Sequence, residues 1–201
     1  MKPVILMFEI LLDLYDLKDE RRTGWELRRI EDPETVAGHS WGAAVLTFLY
    51  GQREEIDIDR AIKMALVHDM AEYDTGDFPI RADSQAKQID RNRKKKMEKE
   101  VMKRLDKKID RELVLNLWEE YENSETKEAR FVKDMDMVDM CLQALKYEKD
   151  GRYDKNEENP NFMEYERLDE FFATTKDRIS TETGKKLFEE IKKRYTRLRE
   201  K

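Results

Sequence analysis

The chain has two histidines, and each stands where apolar helical sequence begins or peaks. His68 follows Ala65-Leu66-Val67 and is joined directly to Asp69. An ionisable pair inside such a stretch is costly unless something pairs with it. A metal ion is the economical partner, because imidazole nitrogen and carboxylate oxygen both ligate first-row divalent ions. Adjacent helical residues diverge by about 100°, so His68 and Asp69 would approach an ion from different angles. His39, from the preceding helix, supplies a third ligand. Glu72 lies one helical turn after His68, on the same face. Asp77 follows Gly76, where a loop can fold back over the site. Two carboxylates beside a metal-bound water can take or deliver protons. Asp134, Asp136 and Asp139 share the segment KDMDMVDMCLQAL, and one of them turned inward completes the shell. Asp136 shares a helix face with Val132 and Met140, but periodicity leaves the choice among the three open. The competing reading makes the histidines hydrogen-bonded core residues, Glu72 a solvated side chain and Asp77 a turn residue.

Helices must position these groups. Glycine (7) and proline (4) are scarce, and no segment alternates apolar and polar residues for long, so helix is the expected element throughout. The first helix is expected from Pro3 to about Asp16, with Ile5, Phe8, Ile10, Leu11 and Leu14 inward. The stretch WELRRIEDPETVAGHS reads as irregular, and a helix opening near His39 follows it. Asp57 or Asp59 caps the next helix, which carries AIKMALVHDMAEY without a break until Gly76 stops it. Further helices are expected over about 84–105, 111–121 and 126–147. The polar segment GRYDKNEENPN is a loop, and two final helices cover about 162–174 and 181–199.

The composition narrows the class. A chain of 201 residues is long enough for one domain with a sizeable core. Charged residues make up 43% of it and hydrophobic residues 39%, so the surface is almost wholly ionic. Richness in Glu, Lys and Arg with one cysteine matches proteins from hot environments. Cys141 alone cannot form an intramolecular disulfide, which fits a cytoplasmic protein. The net charge of −6, with both signs mixed along the chain, argues against a general nucleic-acid binder. The basic run Arg91 to Lys108 alternates with Glu98, Glu100 and Asp106, as on a solvated helix. No apolar run approaches the ~20 residues that span a bilayer. The apolar opening helix and the segment Met135 to Met140 could serve a homodimer interface or an ordinary core.

The motifs resemble the HD-domain phosphohydrolases, specifically their 5'-deoxynucleotidase branch. The matching pieces are RTGW (22–25), PETVAGHS (33–40), KMALVHDMAEYDTGD (63–77), LWEEYE (117–122) and EARFVKDMDMVDMCLQALKYE (128–148). They occur in the family's order, with HDxxExxxGD intact. The resemblance implies an all-α, multi-helix HD-domain fold over 1–201. Its motif-bearing core is about 22–148, with C-terminal helices over 160–199 packed on it and the metal site between core helices. It implies one divalent ion (Mn, Co, Fe, Ni, Zn or Mg) held by His39, His68, Asp69 and Asp136. It makes Glu72 and Asp77 the catalytic carboxylates, and Arg22 and Trp25 the residues on the substrate's phosphate and sugar. In related enzymes the arginine directly precedes the tryptophan; here Gly24 does, and Arg22 lies two residues further back. The implied reaction is hydrolysis of deoxyribonucleoside 5'-monophosphates. The alternatives are an HD hydrolase acting on a dNTP, a cyclic dinucleotide or an alarmone, or a non-catalytic nucleotide-binding module.

Overall fold

Side-chain caps set where the long helices begin. In a computed structural model, which describes residues 8–109 and 113–200, Thr35 accepts from the Gly38 N–H and opens α3 (Val36–Gly51). Asp57 accepts from Arg60 N and opens α4 (Ile58–Val67). Thr126 and Thr181 do the same for α8 (Lys127–Asp150) and α10 (Glu182–Arg199). Each satisfies one of the amides that a helix start leaves without a partner. The other helices are α1 (Phe8–Tyr15), α2 (Thr23–Leu27), α5 (Glu72–Thr75), α6 (Arg91–Ile109), α7 (Leu113–Asn123) and α9 (Asp169–Lys176). Among the described residues there is no strand, and no helix is long and apolar enough to cross a membrane.

The longest helix, α8, is the axis of the fold and packs against α3, α4, α7, α9 and α10. It feeds two apolar clusters. Phe131, Met135, Val138 and Tyr147 join Trp25, Phe171 and Phe188. Ala129 and Val132 join Met64, Met102, Leu105 and Trp118. A helix buried on several sides shows no single apolar stripe. That is why its aspartates could not be ranked from the sequence.

Several expected boundaries move. Within α1, Ile10 is buried and Leu14 partly so, but Phe8 and Leu11 are exposed; Ile5 lies outside the described residues. The stretch read as irregular begins inside α2, whose last residues are Trp25 to Leu27. The helix through His68 does not run on to Tyr73. It ends at Val67, and bonds from Met70 N to Val67 O and from Glu72 N to Asp69 O tighten the next turn before α5. The helix expected from Ser84 starts at Arg91, capped by Asp90. The one expected from Phe162 starts at Asp169. Both segments, and the residues just before the first, give amides to tertiary partners instead: Ser84 N donates to Glu164 Oε2 at 3.1 Å. Glu170 accepts from Ala82 N and Asp83 N, and Asp83 accepts from Met163 N and Glu164 N. Arg81 pairs with Glu170 in the same buried network.

Asp134 is settled by the same bookkeeping of amides. Its buried carboxylate accepts from Ser180 N at 3.1 Å and from Thr181 N and Oγ1 at 2.6 Å each. A Cβ at Gly184 would stand 2.6 Å from Asp134 Oδ2, so the first turn of α10 closes directly over it. Asp134→Ala strands these donors and is expected to cost about 2–4 kcal/mol. The midpoint of thermal unfolding should fall by roughly 5–15 °C, with metal uptake intact. An unchanged midpoint would remove Asp134 from the fold's supports.

Candidate metal centre and the cavity beside it

His39 lies in the first turn of α3 and is 0% exposed. Its Nε2 meets Asp136 Oδ1 at 3.0 Å and its Nδ1 meets Asp139 Oδ2 at 2.8 Å. His68 lies just past the end of α4 and donates its Nδ1–H to Ala65 O at 2.7 Å. That bond leaves a lone pair on Nε2, which is buried and has no hydrogen-bond partner. Asp69 Oδ2 stands 3.2 Å from this nitrogen and 3.8 Å from His39 Nε2. A nitrogen lone pair and a carboxylate at that distance repel unless a proton or a metal cation lies between them. Donor atoms of His39, His68 and Asp136 all fall within 4.8 Å of one another. Nitrogen and carboxylate donors so grouped fit one divalent metal ion.

Each donor is held from behind. Asp136 accepts the Tyr121 hydroxyl on Oδ2 at 2.7 Å, and the Tyr121 ring packs against the His68 ring. Arg22 donates to Asp69 at 3.1 Å. The electrostatics follow. Burial and Arg22 work against charge on His39, yet hydrogen bonds to Asp136 and Asp139 raise its pKa well above the ordinary value. Burial raises Asp136 and Asp69, but the histidines and Arg22 outweigh it and keep both well below the usual carboxylate range. The pocket therefore favours a cation at the imidazole nitrogens.

A cavity of about 400 Å³ opens beside these groups. Glu72 lines it and is 2% exposed, with Oε2 buried and unpartnered. Lys94 Nζ sits 3.4 Å from Glu72 Oε1 and donates to Phe78 O at 3.2 Å. Burial, then Asp69 and Asp77, pushes the Glu72 carboxyl well above its ordinary pKa. Asp77 lines the same cavity; its Oδ2 accepts from Thr23 N at 2.6 Å. Asp77 thus anchors the start of α2, the helix that follows Arg22. Burial opposes the Arg22 charge, but Asp77, Asp69, Glu72 and Glu34 raise its pKa above the ordinary value.

The sequence-predicted residues His39, His68, Asp69, Asp136, Glu72, Asp77 and Arg22 thus converge. Trp25 lines the same cavity but is nearly buried. Its ring is 1% exposed, stacks on Phe171 at 3.9 Å and donates to Glu34 Oε1. It backs the cavity wall and presents little surface to a sugar. Two residues were not foreseen. Tyr121 sits in the LWEEYE motif at the inward spacing of Leu117 and Trp118, a core signal that says nothing of its hydroxyl. Lys94 was read as part of a solvated run, yet Lys94, Glu98, Val101, Met102 and Leu105 follow the spacing of one inward face.

The sequence model of the HD-domain family matches residues 14–187. The chain belongs to the HD-domain family. A 5'-deoxynucleotidase of Xenopus laevis is 43% identical over 66% of this chain, which spans 65% of that relative's length. A 5'-deoxynucleotidase of Danio rerio is 33% identical over 86% of this chain and 80% of its own. The solved structure of a Pyrococcus horikoshii protein superposes with a TM-score of 0.70 at 32% identity, covering 96% of this chain and 99% of that one. The all-α architecture is therefore an HD-domain fold. Its namesake pair, His68-Asp69, sits where α4 gives way to the tightened turn.

Proposed function

We propose that this HD-domain protein is a metal-dependent phosphomonoesterase that converts deoxyribonucleoside 5'-monophosphates to deoxyribonucleosides and phosphate. The observation that carries the reading is the unpartnered Glu72 carboxylate oxygen, buried in the cavity beside a His-His-Asp donor cluster. The named activity of the curated relatives supports the substrate class. The cavity's size lies within the roughly 300–1,000 Å³ of small-molecule sites.

His39, His68, Asp69 and Asp136 would hold one divalent ion. When bound, such an ion lowers the pKa of a coordinated water and offsets charge on phosphoryl oxygens. Arg22 would turn from Asp69 to the phosphate, where its fork can bind two oxygens. Glu72 would orient the attacking water and accept its proton. Asp77, fixed by Thr23 N–H, would serve the leaving 5'-oxygen; the two carboxylates can exchange these roles. Trp25 would act from behind by holding Phe171 against the cavity.

The experiment is phosphate release from ribo- and deoxyribonucleoside monophosphates, with Mn, Co, Fe, Ni, Zn and Mg each supplied in turn. Phosphate from the deoxy series, in excess over the ribo series, is the expected result. Equal turnover of both series would remove the sugar selectivity, and no release from either would remove the reaction.

One feature favours a second reading. Lys95 and Lys133 also line the cavity, 3.6 and 3.7 Å from the single Glu122 carboxylate they share. That is more positive charge than one phosphate needs, and it suits a nucleoside triphosphate. Release of triphosphate or pyrophosphate in the same screen would decide for it.

A further inference from the structure

We infer that Asp139 is a positioning residue for the metal centre, acting through His39 and admitted to its place by Gly42. The inference rests on the metal-site reading above. Asp136 and Asp139 are three residues apart on α8, so both project toward α3. The His39 ring lies between them, with Nε2 on Asp136 and Nδ1 on Asp139. A carboxylate can only accept, so Asp139 takes the Nδ1–H; once a metal ion replaces the proton that Asp136 otherwise accepts from Nε2, that nitrogen's lone pair faces Asp136, Asp69 and His68.

The two histidines differ in what holds them. His68 leans on the main-chain carbonyl of Ala65, which no side-chain substitution removes. On the Nδ1 side His39 leans on a side chain instead. What that nitrogen contributes to ring orientation, and the basicity a carboxylate partner adds, therefore depend on residue 139.

Gly42 is an independent sign of the same arrangement. It sits in the interior of α3, where glycine costs about 1 kcal/mol relative to alanine. A Cβ there would overlap Asp139 Oδ1 and stand 2.7 Å from its Cγ. Asp139 occupies the space a side chain at position 42 would take. Any larger residue at 42 must push the carboxylate off Nδ1.

The test is metal affinity, read by calorimetric titration of the metal-stripped full chain with Mn²⁺. Wild type, Asp139→Asn, Asp139→Ala, Gly42→Ala and His68→Ala are compared, with folding checked by circular dichroism. Asparagine can still accept the Nδ1–H but lacks the charge, so Asp139→Asn should bind about tenfold more weakly. Asp139→Ala loses both and should bind about 100-fold more weakly. Gly42→Ala should fall beside Asp139→Ala although residue 139 is untouched. A residue that merely joins α3 to α8 would lower the unfolding midpoint and leave affinity alone. Affinities within twofold of wild type for both Asp139 variants overturn the inference while the metal site stands. A wild type that takes up no Mn²⁺, or a His68→Ala variant that binds as well, sinks the His39–His68–Asp69–Asp136 centre and this inference with it.

Discussion

His68→Ala is expected to take up no metal at concentrations that saturate the wild type, and to release no phosphate. Three features make the effect large. The Nε2 lone pair is already aimed, because Nδ1 is committed to Ala65 O. The nitrogen has no hydrogen-bond partner to fall back on. It is also the imidazole nitrogen nearest Asp69, at 3.2 Å against 3.8 Å for His39, so without it that carboxylate is left mainly to Arg22. Losing a ligand should exceed the 10–100-fold that losing an outer partner costs. The order of affinity should be wild type, then Asp139→Asn, then Asp139→Ala, with His68→Ala below all of them. Metal analysis of the purified variant checks it. Stoichiometric metal in His68→Ala would move the centre to the other grouping on His39, formed with Glu34 and Asp139.

Much of this site was legible because ionisable residues in apolar sequence demand an explanation. His68-Asp69 after Ala65-Leu66-Val67 is such a case, and His39 ahead of the apolar part of α3 is another. The aspartates of α8 were not separable in the same way. Helical periodicity sorts inside from outside, and α8 has several insides. Asp134 meets the start of α10, Asp136 meets the two imidazoles, and Asp139 meets the far side of His39. Only the tertiary arrangement assigns three partners to three like residues; the family resemblance, not the spacing, singled out Asp136. The misplaced helix starts share one cause. Segments 84–90 and 162–168 have helical composition, but Glu170 and Asp83 capture amides of the loops they belong to. Such long-range bonds leave no local pattern. Trp25 lines the cavity as expected of a residue near the substrate, but how little of it is exposed was not readable, since the covering Phe171 lies in α9, far along the chain. Lys94 is the opposite case. Its inward spacing with Glu98 and Leu105 was readable, but the surrounding lysines disguised it.

Glu72 carries the second large effect, and it separates chemistry from binding. Glu72→Gln keeps the shape of the side chain but cannot take a proton from water. Turnover should fall by about 10²–10⁴, with metal affinity close to wild type, because the carboxylate is not among the clustered donors. The same substitution should make the metal-free protein more stable near neutral pH, and the sign follows from linkage. Burial and the neighbouring Asp69 and Asp77 raise the Glu72 pKa well above its unfolded value, against the pull of Lys94 and Arg22. Between those two values the folded chain binds the extra proton and the unfolded chain does not. Stability is therefore highest below the unfolded pKa and is lost as pH rises toward the folded one. Glutamine has no proton to lose, so Glu72→Gln should flatten that part of the stability curve and unfold at a higher temperature than wild type. A residue whose removal stabilises the fold and abolishes turnover is held there for its reaction. If thermal melts across pH superpose for the two proteins, Glu72 is not strained by its surroundings. Unchanged turnover would remove it from the mechanism altogether, leaving Asp77 as the carboxylate that must do the work.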